Sequence, residues 1–138
     1  MDWVNQLIKN AYTEANKNNG GKPDFTSEGR CLASVENVLE KTLGIKAKRP
    51  ASAYQFPAYY DRYTEFLKFY SKSVLSNNLR VIPRGGISVW NQTKEHPHGH
   101  IEIKTDDPAE FTSDYIQEER KTYAGQTVPL AIYLPKKI

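Results

Sequence analysis

The periodicity of the apolar residues changes partway along the chain, and this restricts the fold more than any other feature. Over residues 3–17, Trp3, Val4, Leu7, Ile8, Ala11, Tyr12 and Ala15 recur at the three-to-four spacing of an amphipathic helix. From Leu32 to Leu43, the positions Leu32, Val35, Val38, Leu39 and Leu43 repeat that pattern, and Gly44 stands where a helix ends. Ser27 is a candidate cap, which would put Cys31 near the first turn of this second helix.

Beyond residue 78 the pattern shortens. Leu79–Pro83, Ile87–Trp90, Gly99–Ile103, Glu110–Ser113 and Leu130–Leu134 read as short strands, punctuated by Gly85-Gly86, Pro97, Asp106-Asp107-Pro108 and Gly125. Helices that precede strands predict an α+β fold in which N-terminal helices pack on an antiparallel sheet. Between the halves, 51–54 reads as one helical turn. The tyrosine-rich stretch 54–70 has helical spacing in an ambiguous register, and it reads as ordinary packing more readily than as an aromatic wall for a ligand. With 138 residues and neither repeat nor linker, residues 1–138 are expected to form one domain.

Composition excludes several functions. A net charge of +3, with the basic residues scattered, does not describe a dedicated nucleic-acid binder. The small cluster Lys46, Lys48 and Arg49 reads as a solvated face. No stretch approaches the roughly 18 apolar residues that a membrane span requires. The N-terminus lacks a basic segment followed by an apolar one, so no signal peptide is expected and delivery beyond the cytoplasm would need another route. A single cysteine excludes an internal disulfide and a cysteine-rich zinc site.

That cysteine is either a buried small hydrophobe or a nucleophile. A thiol attacks an amide carbonyl as thiolate, a form favoured by a helix N-terminus and an adjacent imidazole. Cys31 is expected near a helix start, where the dipole favours negative charge and free N–H groups could hold an oxyanion. All three histidines fall in His96-Pro97-His98-Gly99-His100. His100 opens an apolar strand and is the candidate base, with His98 the runner-up. Helix-borne cysteine followed by strand-borne histidine is the papain-like order. A third group should accept the other imidazole N–H. Asp114, expected at the end of the next strand, is the candidate; Glu102, which shares the facing parity of His100, is an outside alternative. A zinc site of His96, His98 and His100 is a rival reading that Pro97 and Gly99 disfavour. No cofactor is expected.

These residues resemble a known family. Gly29-Arg30-Cys31-Leu32-Ala33 through Val38-Leu39-Glu40 and Gly44 resembles the nucleophile helix of the CHAP and NlpC/P60 cysteine amidases. Gly86-Ile87-Ser88-Val89-Trp90, the strand His100-Ile101-Glu102-Ile103, Ser113-Asp114-Tyr115 with Gln117, and Ala131-Ile132-Tyr133 resemble that family's later segments, in the same order. The chain departs from the pattern at Ile87, where the family carries Asp, and at Ala109-Glu110-Phe111. The resemblance implies a papain-like fold and hydrolysis of an amide bond in the peptide of bacterial cell wall, as in phage endolysins and type VI secretion amidase effectors. Cys31 would be the nucleophile, His100 the base and Asp114 the orienting residue. It further implies a monomer, a cell-wall substrate outside the producing cytoplasm and, for an effector, a cognate immunity protein over the cleft. A papain-like protease, deamidase or transglutaminase-like toxin acting on protein, or a wall-binding module without catalysis, are the alternatives.

Overall fold

The computed structural model describes residues 2–24 and 29–137. Ser27, the candidate cap, lies outside them. Helix α1 spans Asp2–Asn16 and α2 spans Cys31–Leu43. They pack together through their apolar stripes, burying Leu7, Ala11 and Ala15 of the first and Val35, Val38 and Leu39 of the second. A hydrogen bond from Asn10 Nδ2 to Thr42 Oγ1 (2.9 Å) ties the pair. Gly44, at φ +70°, ends α2 and returns its N–H to Glu40 O at 3.0 Å, a left-handed turn that favours glycine.

Two short helices follow, α3 at Phe56–Tyr60 and α4 at Thr64–Leu67. The tyrosine-rich segment turns out to be largely core. Phe56 stacks on Tyr60 at 3.9 Å and Phe66 on Tyr70 at 4.9 Å, all four side chains being fully buried.

The sheet contains β1 (Tyr70–Lys72), β2 (Ile87–Trp90), β3 (His100–Asp106), β4 (Glu110–Thr112), β5 (Ile116–Gln117) and β6 (Ala131–Pro135). Its strand order is β1-β6-β2-β3-β4-β5, and every pairing is antiparallel. In the centre Trp90 pairs with His100, Val89 with Ile101, Ser88 with Glu102 and Ile87 with Ile103. Period-two alternation then divides the residues between two cores. Ile87, Val89, Ile101, Ile103, Ala131 and Tyr133 join the helices, whereas Trp90, Phe111 and Ile132 form a smaller cluster with Leu79 and Ile82.

The segment 79–83, expected as a strand, is a 3-10 turn at Leu79–Val81. Leu79 and Ile82 are buried while Val81 between them is 63% exposed, a spacing of three rather than two. Buried Lys104 fastens this turn: its Nζ donates to Ile82 O at 2.7 Å and Leu79 O at 3.3 Å. The short edge strands β1 and β5 were not foreseen.

Candidate active site

Cys31 is the first residue of α2 and is half-buried. Its N-cap is Arg30, and the first intrahelical bond runs from Ser34 N to Arg30 O at 2.9 Å. The N–H groups of Cys31, Leu32 and Ala33 thus precede the i−4 ladder and are available to a ligand, at the positive end of the helix. Gly29 adopts φ +71° just before this turn.

His100 opens β3 and is almost fully buried. Its Nε2 meets Glu102 Oε1 at 2.8 Å, and Cys31 lines the same pocket beside the ring and favours its charged form. With Nε2 held by the carboxylate, Nδ1 is the nitrogen left for the sulfur. Strand parity explains the first contact, because residues two apart share a face. Glu102 is anchored in turn by Arg120, whose Nε reaches Oε2 at 3.0 Å and whose Nη2 reaches Oε1 at 3.1 Å, a bidentate pair. The same Nη2 donates to Tyr115 Oη at 2.9 Å. Tyr123 closes the group, stacking on His100 at 4.7 Å with its ring 5.3 Å from the Arg120 guanidinium.

This arrangement sets the charges. Burial works against a charged His100, but the Glu102 carboxylate beside it and the nearby Cys31 outweigh burial and push the imidazole up to about 9. Burial also works against an ionised Glu102, and the His100 and Arg120 cations overcome it, bringing the carboxyl down to about 2. Burial and the neighbouring Cys31 push the Tyr123 phenol up to about 12, so it stays protonated beside the ring. The centre therefore holds a fixed carboxylate between two cations, one of them beside the thiol.

Asp114 was expected at the imidazole, and the structure puts it elsewhere. It lies in a bend after β4, where Oδ2 accepts from Arg30 N–H and Oδ1 from Ser113 Oγ, both at 3.0 Å. The register gives the reason. Thr112 pairs with Ile103, which faces the helices, and two residues further on Asp114 shares that side, at the start of α2. Arg120 and Tyr123 are not among the residues the sequence singles out: Arg120 stands among charged neighbours, Glu118, Glu119 and Lys121, although its side chain is only 8% exposed.

The three histidines diverge. His96 Nδ1 meets Tyr123 Oη at 3.3 Å, His98 Nδ1 meets Ser52 Oγ at 2.6 Å, and His100 turns to Glu102. Among the described residues, no cluster of His, Cys, Asp and Glu could hold a metal ion. A cleft opens at Cys31 in two lobes. One, of about 360 Å³, runs between the first turn of α2 and the segment 49–53; the other, of about 210 Å³, lies against 95–100 and Tyr123.

Fold and site together define an α+β protein in which a helix-borne cysteine meets a strand-borne, carboxylate-held histidine. No protein-family model matches the chain, and no curated protein matches it. Among solved structures, the chain is similar to one in the crystal structure of the type VI native effector-immunity complex Tae3-Tai3 from Ralstonia pickettii, with a TM-score of 0.61, 23% identity, and coverage of 96% of this chain and 99% of that one. The selenomethionine form of that complex matches with a TM-score of 0.56 and 24% identity over 80% of this chain and 81% of that one. The fold is thus shared: helices packed on a six-stranded antiparallel sheet.

Proposed function

We propose that this chain is a papain-like cysteine amidase that hydrolyses an amide bond in the stem peptide of bacterial cell wall, acting as one catalytic unit and delivered as a type VI effector. The placement of Cys31 beside a His100 that Glu102 holds in the buried centre carries the reading. The likeness to a chain of an effector-immunity complex supports an effector over a phage lysin, and with it a cognate immunity protein seated over the cleft. Among the described residues no helix is long and apolar enough to cross a membrane.

In this mechanism Cys31 and His100 act as a thiolate–imidazolium pair. The sulfur adds to the scissile carbonyl carbon, and the carbonyl electron pair moves onto oxygen. First-turn N–H groups of α2 hold that oxyanion. As the tetrahedral intermediate collapses, the C–N bond breaks and His100 gives its proton to the departing amine. Neutral His100 then takes a proton from water, whose oxygen attacks the thioester and releases acid and thiolate. Glu102 keeps the ring oriented and stabilises its charged form, the part in which Asp114 was expected. Asp114 instead supports the N-terminus of the nucleophile helix.

Purified sacculi incubated with the wild type and with Cys31→Ala test the function. New amine termini by mass spectrometry in the wild-type digest alone are expected. Intact sacculi with both proteins would sink the assignment, and cleavage of a protein substrate in their place would move it to the protease or deamidase class.

A further inference from the structure

The two lobes of the cleft share three lining residues, Gly29, Cys31 and His98. A chain lying across both lobes therefore passes between the nucleophile and His98. His98 is exposed, but one edge of its ring is held. Its Nδ1 lies 2.6 Å from Ser52 Oγ. Ser52 is 7% exposed and precedes a 3-10 turn at Ala53–Gln55, where its carbonyl accepts from Gln55 N–H at 3.0 Å and its own N–H is received by Gln55 Oε1 at 3.0 Å. A hydroxyl that donates to Nδ1 leaves the proton of the neutral ring on Nε2, the opposite edge. The backbone is pinned as well, since Tyr54 N donates to His98 O at 3.2 Å.

Resting on the amidase reading, we propose that Ser52 Oγ donates to His98 Nδ1 and that His98, so fixed, is a further catalytic residue: its Nε2–H donates to the carbonyl oxygen of the scissile amide and strengthens that bond as the oxygen becomes an oxyanion. The first turn of α2 supplies backbone donors from one wall of the cleft, and His98 supplies a side-chain donor from the other. No proton is transferred by His98; the electron pair moves from the C=O bond onto oxygen while Nε2–H stays in place. Preorganised donors of this kind act most strongly once bound substrate has excluded water from the exposed ring. Base and donor thus divide between two histidines: His100, buried on Glu102, moves protons, and His98, tied to Ser52, holds charge.

Three readouts test this. Steady-state cleavage of soluble peptides released from sacculi should show kcat reduced about 100-fold in His98→Ala, the usual loss for one oxyanion donor, with KM little changed. His98→Gln, whose amide N–H can stand in, should recover part of that loss. Alkylation of Cys31 by iodoacetamide forms no oxyanion, so His98→Ala should leave its rate unchanged while His100→Ala slows it. The acylation burst with p-nitrophenyl acetate does pass through an oxyanion and should slow in His98→Ala and, less, in Ser52→Ala. An unchanged kcat, an effect confined to KM, or alkylation slowed as much as the burst would overturn the proposal. The ester burst is independent of the wall: inactivity on sacculi with a His98-dependent burst removes the substrate assignment alone, and a burst indifferent to His98 removes this inference.

Discussion

Glu102→Gln is the most informative single change, because it is nearly isosteric and removes only the charge between His100 and Arg120. In the wild type, His100 stands at about 9 against an ordinary value of 6.5. A histidine whose folded value is raised stabilises the fold fully below the unfolded value, and that stability is lost as pH rises through the folded value. Between pH 6.5 and 9 the native state holds one proton that the unfolded state has released, so stability falls by about 1.4 kcal/mol per pH unit and by about 3 kcal/mol across the window. In Glu102→Gln the largest favourable influence on the imidazolium is gone, and burial then favours the neutral ring. The variant also leaves Arg120 without its carboxylate partner, a cost that is the same at either end of this window because a guanidinium does not titrate there. The measurement is therefore a double difference: denaturant unfolding of both proteins at pH 6 and at pH 9.5. The variant should be worse at pH 6 than at pH 9.5 by about 3 kcal/mol, equivalent to about 10 °C in Tm for a chain of 138 residues. NMR titration of His100 should move its midpoint from about 9 to below 6.5. An equal penalty at both pH values, or a wild-type His100 titrating at its ordinary value, would refute the electrostatic account of the site.

The acid limb has the opposite sign: Glu102 is held at about 2, so the stability it supplies is present above its unfolded value and should decline from about pH 4.5 down to pH 2, as an acid titration followed by circular dichroism would read. Asp114→Asn keeps an acceptor for Arg30 N–H but removes the charge at the α2 N-terminus, so about 0.3–1 kcal/mol of stability should go while kcat stays within a few-fold; a loss of activity equal to that of Glu102→Gln would return the orienting role to Asp114. Gly99→Ala should lower Tm by several degrees, since a Cβ there meets Trp90 O at 2.4 Å and φ is +66°, a conformation that alone costs an L-residue about 1–2 kcal/mol. Lys104→Met should cost about 1–3 kcal/mol in urea unfolding by leaving the carbonyls of Leu79 and Ile82 without their buried donor, with no change in the rate of Cys31 alkylation.

What the chain discloses in advance follows from how local each signal is. Helices α1 and α2 announce themselves because an apolar stripe over a dozen residues is a property of the segment alone, and central strands β2, β3 and β6 because their alternation sets inner against outer face. Cys31 and His100 are readable for the same reason, as residue types at the ends of elements that local patterns define. The network behind them is not local. Arg120 sits in an irregular segment after β5, and its burial makes sense only once Glu102, eighteen residues earlier, is known to point at it. The choice between Glu102 and Asp114 turned on the register of β3 against β4, with its shift between Lys104 and Asp106, and no composition or spacing reports that register. Parity within one strand, however, needs no register: His100 and Glu102 share a face in any pairing of β3. Shared parity on one strand brings the carboxylate to the ring more directly than the reach of a neighbouring strand. The same logic applies to His98, where Pro97 and Gly99 break the strand before it begins and free the ring to cross to Ser52, which is why three adjacent histidines find three different partners.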